Sequence, residues 1–153
     1  MNNNSDQIIK LAQEILNIES EEILKVSKNI SNNFSDAVNE ILNCFGRIVV
    51  SGMGKSGHIA RKTASTFAST GTPAFFMHPG EASHGDLGMI TQEDIVIFFS
   101  NSGQSNELIS ILPTIKRIGA RIISISGNAN SELAGQSDIH ISAAVTKEAC
   151  PLG

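Results

Sequence analysis

Ser100-Asn-Ser-Gly-Gln-Ser-Asn-Glu107 concentrates hydroxyls, a glycine and a carboxylate in eight residues. It follows an apolar run, Ile95-Val-Ile-Phe-Phe99, and precedes Leu108, Ile111, Leu112, Ile115 and Ile118, spaced by three and four. That pattern predicts a buried strand, a turn and an amphipathic helix. A turn of this kind presents hydroxyls and free backbone N–H groups at a helix N-terminus, which suits a phosphate. Ser100, Asn101, Ser102 and Ser105 are the candidate donors. N-capping alone needs only one of them. Glu107 has two readings: a first-turn carboxylate stabilised by the helix dipole, or a base for proton transfer.

A second loop, Gly52-Met-Gly-Lys-Ser-Gly57, follows another short β-rich run, Arg47-Ile-Val-Val-Ser51. It matches G-x-G-x-x-G formally, but that fingerprint wants an acid at the end of the next strand, where this chain has His78. A P-loop would need glycine at position 49, which is valine. The remaining use is to hold a single phosphate, with Ser56 and backbone N–H groups close to it and Lys55 supplying charge. A lysine at a helix N-terminus opposes the dipole, which favours a functional reading over a surface one. The third loop, His78-Pro-Gly-Glu-Ala-Ser-His84-Gly-Asp86, gathers two histidines and two acids, a functional polar loop with no strong metal-ligand spacing. His58 and His140 read as a helix-face and a strand-end residue.

The elements that must position these loops follow from periodicity. Residues 7–45 read as helix, with breaks expected at Ser20-Glu-Glu and Ser31-Asn-Asn and a cap at Ser35 or Asn33. From Gly46 the pattern alternates: strand, loop, a helix ending at Gly71, strand Pro73–Met77, a loop from His78 to about Gly88, strand Ile95–Phe99, a helix ending at Gly119, strand Arg121–Ser126, a short helix near Ser131–Ala134, and strand Ile139–Ala143. Pro113 is expected to bend or break its helix. Alternating strands that are apolar on both faces indicate a parallel sheet covered on each side. The organisation is thus a helical segment over residues 1–45, packing on the core or on a partner subunit, and an α/β domain over 46–153. No helix closes the domain after the fifth strand, as expected of a C-terminally incomplete domain.

With 153 residues, 41% apolar and 17% charged, the chain has the composition of a soluble globular domain. Its net charge of −4 argues against nucleic acid or an anionic membrane as the main partner. No signal peptide or membrane span is legible. Cys44 and Cys150 form neither a CxxC nor a metal spacing, as in a reduced cytoplasmic protein. Without Trp or Tyr, a base-stacking surface is not expected.

Read together, the motifs resemble a known family. Gly52-Met-Gly-Lys-Ser-Gly-His58, Phe67-Ala-Ser-Thr-Gly-Thr-Pro73, His78-Pro-Gly-Glu-Ala82, His84-Gly-Asp-Leu-Gly88, Ser100-Asn-Ser-Gly103 and Lys147-Glu-Ala-Cys-Pro-Leu-Gly153 are similar, in order, to the arabinose 5-phosphate isomerases of the sugar isomerase (SIS) family. The resemblance covers about residues 46–153. It implies a three-layer α/β/α sandwich with a five-stranded parallel sheet, SIS-type and flavodoxin-like, preceded by the helical arm. It implies interconversion of D-ribulose 5-phosphate and D-arabinose 5-phosphate through a cis-enediol, supplying the lipopolysaccharide sugar Kdo. Lys55, His84 and Glu107 would be catalytic. Ser56, Ser100, Asn101, Ser102 and Ser105 would hold the substrate, its phosphate falling to the serines. Gly71 and Thr72 would line the sugar site, and His78 would match a histidine associated with substrate and zinc. Gln104 stands where many relatives have Glu and is not assigned as a base. No cofactor is required by the chemistry, zinc being the one candidate. A homotetramer is implied. Relatives continue beyond Gly153 with a further catalytic histidine and often two CBS modules. A non-catalytic sugar-phosphate-binding SIS module is the alternative; it would need the phosphate donors but not Lys55, His84 and Glu107 together.

Overall fold

A computed structural model describes residues 2–150, so Pro151-Leu-Gly153, the end of the last motif, lie outside the described residues. The core is a sheet of five parallel strands in the order β2-β1-β3-β4-β5. The strands are β1 (Ile48–Gly52), β2 (Ala74–Met77), β3 (Ile95–Phe99), β4 (Arg121–Ser126) and β5 (Ile139–Ser142). Strand β1 is buried along its whole length, and β3 is buried except at partly exposed Phe99. Alternate residues feed two separate cores. Val49, Val96, Phe98 and Ile122 face Leu108, Ile111, Leu112 and Ile115 of helix α5 (Asn106–Ile118). Ile48, Val50, Ile97 and Ile123 face Ala60 and Ala64 of α3 (Gly54–Ser69) and Ala37 of α2 (Asn32–Leu42). This is the expected three-layer sandwich. The apolar runs of β1 and β3 are what a strand with two covered faces requires.

Several local expectations are corrected. The first helix, α1 (Asn2–Asn29), runs through Ser20-Glu21-Glu22 without a break. Interruption falls only at Ile30–Ser31, and Ser31 is the N-cap of α2. Ser35 instead donates to the Asn32 carbonyl, and Asn33 donates across to the His140 carbonyl at 3.0 Å. Pro113 does not break α5. It sits on the exposed side, while Leu108, Ile111, Leu112 and Ile115 on the opposite side are at most 2% exposed. Burial of four large side chains, about 1.5–3 kcal/mol each, outweighs the roughly 3 kcal/mol that an interior proline costs. The His78–Gly88 loop contains a helical turn, α4 (Pro79–Ala82), and a 3₁₀ turn (Asp86–Met89). His140 lies inside β5 with its Nδ1 3.1 Å from the Ser124 hydroxyl, and its buried Nε2 has no partner among the described residues. Gly119 ends α5 at φ +90°, as expected, and the last helix, α6 (Glu132–Gln136), is capped by the Ser131 hydroxyl.

Helix α1 keeps most of an apolar stripe in solvent, including Ile8, Leu11, Leu16 and Ile23, each more than half exposed. Its Glu22 carboxylate accepts from Lys25 Nζ at 2.6 Å and from the hydroxyl and N–H of Thr146, both at 2.7 Å. Lys25 first, then Thr146, holds the Glu22 carboxyl down at about 2.

Candidate active site at the carboxyl ends of the strands

In an open α/β sheet, ligands bind outside the carboxyl ends of the strands, where successive connections leave on opposite faces. Here that point lies between β1 and β3: α3 covers one face and α5 the other. The loops that leave β2, β1 and β3 at this edge carry His78 and His84, Lys55 and Ser56, and Ser100–Glu107 respectively. Three motifs separated in sequence therefore emerge side by side.

Glycines allow the β1 loop to close against its neighbours. A Cβ on Gly52 would lie 3.0 Å from the Phe99 carbonyl oxygen at the end of β3 and 3.0 Å from the Ser56 backbone. A Cβ on Gly57 would lie 2.7 Å from the Gly52 carbonyl oxygen. Gly54 adopts φ +52°, the left-handed region that costs other residues. The three glycines thus start α3 directly at the sheet edge. No side chain caps α3, so its first-turn N–H groups face the crevice beside Lys55.

In the β3 loop, Ser105 occupies the N-cap of α5 but makes no side-chain cap hydrogen bond. Its hydroxyl lies 3.2 Å from that of Ser100, which also accepts from the Gly103 N–H at 3.1 Å. The Ser102 hydroxyl accepts from the Gln104 N–H at 3.2 Å. Hydroxyls spent inside the turn leave the N–H groups of Ser102 and Ser105 without a partner among the described residues. The turn is shaped as a ring of donors, the form that binds an anion. Glu107 follows in the first turn of α5.

The β2 loop is held against α5 from the other side. Ala82 is buried in the same core as Leu108 and Ile111, with Leu87 packed against it. His78 caps α4, its Nδ1 accepting from the Gly80 N–H at 3.1 Å, which leaves Nε2 to carry the proton in the neutral ring. His84 follows on the exposed part of the loop, ahead of Gly85 at φ +140°. The sequence reading missed Arg61 of α3. Its guanidinium stacks 4.2 Å above the Phe76 ring, whose edge meets His78 at a centroid distance of 6.3 Å. An arginine one turn after the glycine loop was the available signal.

Lys55, His84 and Glu107 are all exposed and make no ion pair among the described residues. Their charge and proton-carrying capacity is not spent on the fold. The arrangement offers an anion cradle between a cation, an imidazole and a carboxylate. Gly71 and Thr72 are not brought to this edge. They follow α3 and precede β2, at the amino ends of the strands, with the Thr72 N–H bonded to the Phe67 carbonyl. No group of three or more His, Cys, Asp or Glu side chains among the described residues is placed to hold a metal ion. His78, its Nδ1 engaged by the Gly80 N–H, belongs to no such three-ligand group among the described residues, and no step below passes through a metal. Two sizeable cavities lie elsewhere: about 620 Å³ between α1 and residues 145–150, and about 370 Å³ of apolar groove under α2 and α3.

The chain is similar to known proteins in sequence and in fold. Residues 41–152 match the SIS domain family. Arabinose 5-phosphate isomerase KdsD of Yersinia pestis is 53% identical over 92% of this chain and 43% of its own length. The Pseudomonas aeruginosa enzyme of the same name is 47% identical over 99% of this chain and 46% of its own. An Escherichia coli protein solved in complex with arabinose 5-phosphate superposes with a TM-score of 0.92 at 41% identity, covering 100% of this chain and 80% of that one. The chain spans less than half the length of these curated relatives. The chain belongs to the SIS domain family.

Proposed function

We propose that this chain carries the reacting centre of an aldose–ketose isomerase that interconverts D-ribulose 5-phosphate and D-arabinose 5-phosphate. The observation that carries the reading is the adjacency of three loops, at the carboxyl ends of β2, β1 and β3, that bear His84, Lys55 and Glu107, all unpaired among the described residues, beside the Ser100–Ser105 turn. The substrate phosphate lies on the Ser100–Ser105 turn and the α3 N-terminus, with Ser56, Ser102 and Ser105 as donors. Glu107 removes a proton from C1 of the ketose, and electrons move to make the cis-enediol. The same carboxylic acid returns the proton to C2, which gives the aldose. Lys55 stabilises negative charge on the enediolate oxygens. His84 carries the proton between O1 and O2.

Such an intermediate needs protection from water, yet the three residues lie in an open crevice. A wall from another copy of the chain would supply it, and the exposed apolar stripe of α1 fits a homotetramer. Gly71 and Thr72 would then reach a sugar site only from a neighbouring copy. The product suits supply of the lipopolysaccharide sugar Kdo in the cytoplasm; no described helix is long and apolar enough to cross a membrane.

The test is incubation of the protein with D-ribulose 5-phosphate and assignment of the C2 configuration of the product. Arabinose 5-phosphate supports the proposal, and ribose 5-phosphate redirects it to another epimer. Saturable binding of the sugar phosphate without any product replaces it with the sugar-phosphate-binding module.

A further inference from the structure

The loop between β4 and α6, Gly127-Asn-Ala-Asn-Ser131, has no part in the chemistry above, yet it is pressed against the back of the anion turn. The Gly127 N–H donates to the Asn101 carbonyl at 2.9 Å, and the Leu133 N–H donates to the Gly103 carbonyl at 3.2 Å. There is no spare room between the two loops. A Cβ on Gly127 would lie 2.7 Å from Asn101 Oδ1 and 3.1 Å from the Asn101 carbonyl oxygen. A Cβ on Gly103, which adopts φ +65°, would overlap the Ser131 side chain. Ser131 is itself 3% exposed and fixed by accepting the Ala134 N–H at 3.3 Å.

These two hydrogen bonds have a directional consequence. In a planar trans peptide the C=O and the following N–H point in opposite directions. Tying the Asn101 carbonyl to Gly127 turns the Ser102 N–H away from the β4 loop, toward the crevice. Tying the Gly103 carbonyl to Leu133 turns the Gln104 N–H the same way, where the Ser102 hydroxyl receives it. The donor ring therefore owes its orientation to a segment that contributes no donor of its own.

We infer that Gly127–Ser131 is a brace whose positioning residue, Gly127, sets the direction of the Ser102 N–H for the phosphoryl group of the substrate, with Ser131 packed behind Gly103. The inference rests on the sugar-phosphate reading and adds the part of the fold that orients a donor of the cradle. It predicts coupling in both directions: a held phosphate tightens the brace, and a loosened brace weakens the hold on phosphate without touching the proton-transfer groups.

The experiment is amide NMR on the protein, titrated with inorganic phosphate and with arabinose 5-phosphate, together with kinetics of Gly127→Ala. In the wild type, both ligands shift the Ser102 amide, and the Gly127 and Leu133 amides exchange more slowly when phosphate is bound. Gly127→Ala weakens inorganic phosphate about tenfold and raises KM similarly, with kcat within about twofold, as expected from overpacking behind the site. A loss of kcat at unchanged KM, or a Gly127→Ala variant that binds phosphate like the wild type, overturns the brace. If that variant does not fold, the wild-type exchange data decide: a shifted Ser102 amide with unchanged exchange at Gly127 and Leu133 overturns the brace alone. No response at Ser102 to either ligand overturns the sugar-phosphate reading on which it rests.

Discussion

The two ends of the same sheet treat charge in opposite ways. At the amino ends, charges are paired and committed to the fold. Asp94, 2% exposed, accepts from the Arg47 N–H at 2.6 Å and the Thr91 N–H at 2.8 Å, and the Arg47 guanidinium lies 3.6 Å away. Burial works to raise the Asp94 carboxyl, but these donors together hold it below the usual range. Asp138 accepts from the Ile122 N–H at 2.7 Å and from Arg121, which also reaches Glu40. At the carboxyl ends, Lys55, His84 and Glu107 are unpaired among the described residues, the N-termini of α3 and α5 are uncapped by side chains, and glycines replace bulk. One end locks the strand starts together; the other leaves groups available to a substrate. A protein stabilised by both ends would have no use for the second arrangement.

Substitutions can separate the two ends. Glu107→Gln is expected to lower kcat by about 1,000-fold or more with an unchanged melting temperature and retained sugar-phosphate binding, measured by steady-state kinetics and titration. Unimpaired turnover would remove Glu107 from the role of base. Lys55→Ala is expected to cost about 100-fold in kcat/KM, again without loss of stability. Asp94→Ala should do the reverse. Leaving the Arg47 and Thr91 N–H groups unsatisfied costs about 3 kcal/mol, a fall in Tm of roughly 10 °C, while the folded fraction keeps its affinity for substrate. An Asp94 variant with normal stability and poor binding would erase the contrast between the ends.

The smallest effects concern pH. Asp94 and Glu22 have carboxyls lowered in the folded state, so their contribution is present above the unfolded values, near 4, and is lost as pH falls through the folded ones. Acid unfolding monitored by circular dichroism should begin only below about pH 4 where these two dominate. His140 has the opposite charge type: burial lowers its pKa, so the fold prefers the neutral ring. Stability from this group is full above about 6.5 and declines as pH falls below it. Thermal melts of His140→Gln between about pH 7 and 5 should lack that slope, and an unchanged slope would place its source elsewhere.

Much of the framework was legible in the chain because period and composition are local signals. Short β-rich runs, two of them apolar throughout, alternate with helical stripes and indicate a doubly covered parallel sheet. The serine turn and the glycine loop were visible for the same reason: a strand-to-helix turn rich in small donors is a local pattern. Pro113 and Ser20-Glu-Glu misled because local propensity is weak against packing. Gly71 and Thr72 carry a sugar-site assignment from resemblance alone, and their place after α3 puts them at the other end of the sheet. Arg61 and the β4 loop were overlooked because their partners, Phe76 and the Ser100–Ser105 turn, are distant in sequence.

The chain alone determined which residue types can do chemistry and which turns hold them, since hydroxyl count, glycine position and carboxylate placement are properties of short segments. It did not determine which segments meet. That depended on the strand order β2-β1-β3-β4-β5, which sets three polar loops beside one another and puts a fourth behind them. Adjacency in a parallel sheet is decided by hydrogen bonding between strands and by burial of both faces, both of which act across the whole domain.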